Sequence, residues 1–167
     1  MSQHAPGFEA FAAARAGALY RTAWLLTGDH QLAEDLVQES LARVFVRWRR
    51  ISRMDHPAAY ARRVLVTTHI STQRLRRNQE RPSDLAPPDR AGLGDDPELR
   101  LTLRAGLDQL DGTDRAVLVL RYWEDLDVQT TAGLLGMSTS NVRTRSVRAL
   151  QRLREALGED VTGWSRT

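Results

Sequence analysis

The stretch Val128-Gln-Thr-Thr-Ala132-Gly-Leu-Leu-Gly136-Met-Ser138-Thr-Ser-Asn-Val142 decides how this chain folds. With each residue advancing about 100° around a helix, Val128, Ala132 and Leu135 fall on one face of a short helix. Gly136 permits the left-handed conformation that ends it, and Ser138 is a preferred N-cap for the helix that follows. The small side chain of Ala132 lets two helices cross closely, and Val142 plugs the corner between them. Two helices joined in this way form a helix-turn-helix, whose second helix suits the major groove of DNA.

On that second helix Val142, Ser146, Ala149, Leu150, Leu153 and Leu157 fall within about 100° and form the expected core face. The opposite arc carries Ser140, Asn141, Thr144, Arg148 and Arg152, with Arg145 on its edge, and Arg143 completes the candidate set. Asn141, Thr144 and Arg148 are placed to reach base edges, Arg145 and Arg152 to reach phosphates. From residue 138 to residue 154 there are five arginines and no acid. An arginine-rich helix face is often merely solvated, but the turn chemistry in front of this one favours DNA.

Working outward, charge comes in blocks. Residues 47 to 81 hold ten arginines against Asp55 and Glu80, a surplus of 8. Residues 82 to 137 hold five arginines against eleven acids, a deficit of 6. Two basic segments therefore flank an acidic middle, although the net charge is only +3. Four of the six prolines, Pro82, Pro87, Pro88 and Pro97, fall in one stretch with Gly92 and Gly94 and without apolar periodicity. That composition predicts a flexible, protease-sensitive linker over residues 81–98, between domains at 8–80 and 99–158.

In the first domain Phe8, Phe11, Ala18, Thr22 and Leu25 recur at helical spacing, and Thr27-Gly28-Asp29 supplies a stop and a new start. A second helix is expected from about Gln31 to Trp48, with Val37, Leu41, Val44 and Trp48 as its buried stripe and Asp35, Gln38 and Glu39 on the other side. Pro57 suits the first position of a third helix, running through Tyr60, Val64 and Ile70 to the polar run beginning at Arg74. Strand alternation is absent. The fold class is all-α, two small helical domains joined by the linker. The basic block mixes Arg49, Arg50, Arg53, Arg62 and Arg63 with Trp48, Tyr60 and His69, and stacking groups among cations suit splayed or single-stranded bases.

Other chemistry is poorly served. There is no cysteine, and the four histidines are too scattered for a helical metal pair, so neither metal nor cofactor is expected. No paired carboxylates sit in an apolar frame, and neither a Gly-rich phosphate loop nor Gly-x-Ser-x-Gly is present, which argues against an enzyme. Residues Met1 to Pro6 lack the basic start and apolar run of a secretory signal, and no stretch is apolar enough for a membrane span, so the expected compartment is the cytoplasm.

Three motifs in order resemble the extracytoplasmic-function (ECF) group of bacterial sigma factors, the smallest members of the sigma-70 class, over about Phe11 to Leu157. Ala33-Glu-Asp-Leu-Val-Gln-Glu-Ser-Leu-Ala-Arg-Val-Phe45 resembles the region 2 helix that docks on the β′ clamp of core RNA polymerase, which gives Asp35, Gln38 and Glu39 that role. Pro57-Ala-Ala-Tyr-Ala-Arg-Arg-Val-Leu-Val-Thr-Thr-His-Ile70 is similar to the promoter-melting and -10 recognition helix. The resemblance then implies -10 contacts from Trp48, Arg49, Arg50, Arg53, Tyr60, Arg62, Arg63, Thr67 and Arg74. Asp114-Arg-Ala-Val-Leu-Val-Leu-Arg-Tyr-Trp-Glu-Asp-Leu126 and the helix-turn-helix resemble region 4, which reads the -35 element and packs on the β flap. Thr67 stands where the family usually carries Asn, and Ser140-Asn141 where Gly-Thr is common. The expected function is a sigma factor, with core RNA polymerase and promoter DNA as partners and an anti-sigma protein as a further candidate. The rival reading is a stand-alone helix-turn-helix regulator, which has no need of the Asp35, Gln38 and Glu39 motif.

Overall fold

The computed structural model describes residues 7–77 and 97–158. The chain divides into two compact helical units, Met1–Gly92 and Leu93–Thr167, with no strand among the described residues. The expected linker, residues 81–98, lies almost wholly outside the described residues.

The first unit contains α1 (Phe8–Thr27), α2 (His30–Val46), the single turn α3 (Trp48–Ile51) and α4 (Pro57–Arg77). Gly28 ends α1 at φ 68, and its N–H donates to the Trp24 carbonyl at 2.7 Å. A residue with a Cβ would be strained there. Asp29 then caps α2, its Oδ1 accepting the Leu32 N–H at 2.8 Å, so the stop and start read in Thr27-Gly28-Asp29 are both realised. The short connection brings α2 back along α1, and α4 packs on both. Leu25, Leu26, Val44, Ile51, Leu65 and Val66 are fully buried between them. Ser40 is buried too, and its hydroxyl donates to the Leu36 carbonyl at 2.6 Å, which satisfies it inside the core.

Two details differ from the periodicity. Ala18 is exposed, because the stripe of α1 that meets its neighbours is Leu19, Thr22, Ala23 and Leu26, an i, i+3, i+4, i+7 set offset by one residue. The helix α2 stops at Val46, and Trp48 opens the next turn instead of closing this one.

The second unit contains α5 (Pro97–Asp108), α6 (Gly112–Leu118) continuing into a π-helical turn (Val119–Trp123), α7 (Val128–Leu135) and α8 (Thr139–Leu157). The helix α8 lies at its centre, packing on α5, α6 and α7. Each of the last three α-helices starts on a side-chain cap: Asp111 accepts the Asp114 N–H at 2.8 Å, Asp127 the Thr130 N–H at 2.6 Å, and Ser138 the Asn141 N–H at 3.1 Å. The Thr130 N–H holds the Asp127 carboxyl below the usual carboxylate range. The turn is as the sequence reads: Gly136 is left-handed at φ 64, and Val142, wholly buried, meets Val117 and Ala132 at the corner. Gly106 lets α5 approach α8, since a Cβ there would sit 2.8 Å from Leu153 Cδ1 and 3.0 Å from Leu157 Cδ2. Arg115 is buried on α6 with Nη2 3.1 Å from Asp108 Oδ1. Burial pushes its guanidinium below the ordinary range, opposed by that carboxylate.

Candidate nucleic-acid interface

The helix α8 presents two faces. Val142, Ser146, Ala149 and Leu153 are buried, while Leu150 and Leu157 are half-buried at the edge of the stripe. Ser140, Asn141, Arg143, Thr144, Arg148 and Arg152 are all exposed on the other side. No acid interrupts that exposed face before Glu155. Such a face can form charge-assisted bonds with phosphates and bidentate bonds with base edges.

Arg145 does not share that freedom, which corrects the expectation that it is placed for a flanking phosphate. Its Nη1 lies 2.6 Å from Asp114 Oδ1, and the Asp114 side chain is only 3% exposed against 26% for Arg145. Asp111 Oδ2 lies 3.8 Å from the same nitrogen, and Arg152 Nη1 lies 3.9 Å from Asp114 Oδ2. A carboxylate buried this deeply needs a cation, and Arg145 is the nearest, so its charge is spent inside the unit. Arg152 makes only the longer contact and stays half exposed. The sequence held a signal for this pairing: an acidic segment immediately precedes the acid-free helix, so the two can neutralise each other.

In the first unit, Asp35, Gln38 and Glu39 occupy the exposed face of α2. Asp35 accepts from Gln31 Nε2 at 3.1 Å, and Glu39 pairs with Arg43 at 2.7 Å. These i, i+4 contacts are solvent-exposed, so they leave the carboxylates available to a partner at little cost.

The -10 candidates divide. Trp48 is 6% exposed, with the rings of Phe11 and Phe8 at 4.7 and 5.5 Å, and His69 is buried as well. Neither can stack on a base, because their apolar surface is already used to close the core, and Trp48 leaves the -10 set on that ground. Tyr60, Arg63 and Thr67, by contrast, come together on one wall of a groove of about 440 Å³ between α2 and α4. Arg43, Val46 and Arg47 form the other wall, Val64 also lines the groove, and Arg47 Nη1 donates to the Tyr60 hydroxyl at 3.4 Å. Arg43, Val46, Arg47 and Val64 were missed in the sequence. An 82% exposed Val46 on a basic groove is the signal that could have found them, but exposure is invisible without the packing. Arg49, Arg50, Arg53 and Arg74 are exposed outside this groove, and Arg62 is half-buried on α4.

A basic helix-turn-helix face on one unit and a basic groove with an aromatic wall on the other define a helical protein of the nucleic-acid-reading class. Residues 11–81 match the family described as Sigma-70 region 2, and residues 106–155 match Sigma-70, region 4. The RNA polymerase sigma-E factor of Streptomyces coelicolor is 38% identical over 153 residues, covering 90% of this chain and 85% of that protein. A probable ECF RNA polymerase sigma factor, SigI of Mycobacterium tuberculosis, is 32% identical over 174 residues, covering 93% of this chain and 57% of that one. Among solved structures, the sigma factor RpoE of Bartonella quintana, crystallised with the anti-sigma factor NepR, superposes with a TM-score of 0.72 at 22% identity. That match covers 93% of this chain and 99% of the other, and it speaks for the fold. The chain belongs to the ECF sigma factors of the sigma-70 family, and it acts as an RNA polymerase sigma factor in transcription initiation.

Proposed function

We propose a division of labour between the two units. Residues 8–80 bind core polymerase and open the promoter, residues 99–158 read the -35 element, and residues 81–98 tether them. The exposed carboxylates Asp35 and Glu39, with Gln38 between them, meet the β′ clamp. The groove walled by Tyr60, Arg63, Thr67, Arg43 and Arg47 takes the -10 strand, because guanidinium groups follow a phosphate backbone and a half-exposed tyrosine offers a ring to a base. Arg49, Arg50, Arg53, Arg62 and Arg74 act around it on the backbone. The π-helical turn, with the exposed Tyr122 in it, fits the β flap. The reaction chemistry belongs to the core enzyme, and this chain supplies recognition in the cytoplasm. No described helix is long and apolar enough to cross a membrane. An anti-sigma protein is a further candidate partner, since the Bartonella relative was solved with one.

The observation that carries this reading is the exposed, acid-free face of α8 set on a fully formed helix-turn-helix. It is tested with holoenzyme reconstituted from the full chain and core polymerase on a promoter library randomised at -35. Arg148→Ala and Asn141→Ala should each relax the preference at one position, by about 1 to 3 kcal/mol for a bidentate contact. Arg152→Ala should instead weaken all promoters alike and flatten the salt dependence. An unchanged preferred sequence and unchanged activity in the first two variants would refute the assignment of α8 to -35.

A further inference from the structure

Val147 is the one large apolar side chain left exposed on the described residues of α8, at 68%. Isolated exposed apolar residues are common and usually mean nothing. This one differs in its setting. It sits about 40° from Arg143 and about 60° from Thr144 around the helix, inside the face that carries the exposed polar set. Thr144 donates its hydroxyl proton to the Ser140 carbonyl at 3.1 Å, which leaves its methyl as the group it offers outward. Val147 and Thr144, three residues apart, are therefore neighbours on one helix surface and together make a small apolar spot among arginines. Neither packing nor helix propensity accounts for a valine there, since the position touches solvent and a β-branched residue is a weaker helix former than arginine or glutamine.

The major groove presents hydrogen-bond donors and acceptors on every base edge and one apolar group, the 5-methyl of thymine. Resting on the reading that α8 enters the -35 major groove, we infer that Val147, with Thr144 beside it, is a specificity-determining residue that selects thymine through its 5-methyl group. Arg143 and Arg148 flank the spot and reach the neighbouring bases or phosphates, so the position selected by Val147 lies next to one selected by hydrogen bonding. The valine makes no bond that a cytosine or adenine edge would satisfy, and it leaves such an edge without its water.

The test uses holoenzyme reconstituted from the full chain and core polymerase, and two promoter libraries randomised only at -35. One library is synthesised with thymine there and the other with deoxyuridine, which removes the methyl and keeps every hydrogen-bonding group. With the native chain, one -35 position should prefer thymine, and that preference should fall about fourfold, the worth of one buried methyl, in the deoxyuridine library. Val147→Ala should lower the same preference in the thymine library and respond no further to deoxyuridine, while Val147→Thr, which keeps a methyl, should restore part of it. The side chain is exposed, so none of these variants should alter the helical circular dichroism. If deoxyuridine changes no position while Arg148→Ala still shifts the preferred sequence, the methyl contact is refuted and the -35 reading stands. If Val147→Ala and Arg148→Ala both leave the preferred sequence unchanged, α8 does not read the element and both fall.

Discussion

Replacing Asp114 by alanine should loosen α8 from its own domain, and the structure allows the size of that effect to be worked out. The carboxylate is 3% exposed and holds Arg145 at 2.6 Å, with Arg152 at 3.9 Å as a second, weaker partner. Removing one partner of a buried pair typically costs about 3–5 kcal/mol, because the other charge is left desolvated. Arg145 keeps 26% of its side chain in contact with water and can turn outward, so the lower end applies and we expect about 3 kcal/mol. A unit of roughly 60 residues has a total stability of about 3–9 kcal/mol, so a third or more of it would be lost. At about 4–8 °C per kcal/mol for a domain this small, its melting transition should fall by about 12–24 °C.

The assay is hydrogen exchange by mass spectrometry on the full chain, which reads each helix separately. Peptides from α8 and α6 should lose protection in Asp114→Ala, while peptides from α2 should not change. A double-mutant cycle with Arg145→Ala then isolates the pair: once Asp114 is gone, removing Arg145 should cost little more. A coupling below about 0.5 kcal/mol, with the two losses simply adding, would refute the buried tie and return Arg145 to the DNA face. Transcription separates the cases further. If Arg145 is structural, Asp114→Ala and Arg145→Ala should lose the same -35-dependent initiation, whereas a phosphate contact would make Arg145→Ala alone sensitive to salt.

Reversing charge at Asp35 and Glu39 to lysine should weaken association with core polymerase in a pull-down and leave circular dichroism unchanged, because both are exposed; unchanged affinity would remove α2 from the clamp. Gly106→Ala would drive a methyl into Leu153 and Leu157, and an overpacking cost of about 1–3 kcal/mol, offset by about 1 kcal/mol of helix propensity, should leave a small net destabilisation by urea unfolding. The depressed pKa of Asp127 makes its cap of α7 fully present above the unfolded value of about 3.9 and lost as pH falls through the lower folded value. Acid should therefore expose α7 amides to exchange, and Asp127→Asn should abolish that dependence on pH.

The turns were legible in the sequence because they are local. Gly28, Gly136, Asp29 and Ser138 act within a few residues of themselves, and their chemistry admits few alternatives. The corner residue Val142 was legible for the same reason, being four residues from its cap. What escaped was set by contacts between distant residues. Asp114 and Arg145 are 31 positions apart, and a wheel drawn on α8 alone assigns Arg145 an edge, with nothing to say that a carboxylate waits there. Trp48 fitted both roles open to an aromatic among arginines, and only the arrival of Phe8 and Phe11 from the far end of α1 decides for the core. The groove between α2 and α4 was half read for a related reason: Tyr60, Arg63 and Thr67 share one helix face, whereas Arg43, Val46 and Arg47 come from the end of α2 and join them only when α2 and α4 pack. A helical protein of this kind therefore declares which face of each helix is wet. Which wet arginines are spent on internal carboxylates, and which stay free for DNA, follows only from how the helices are stacked.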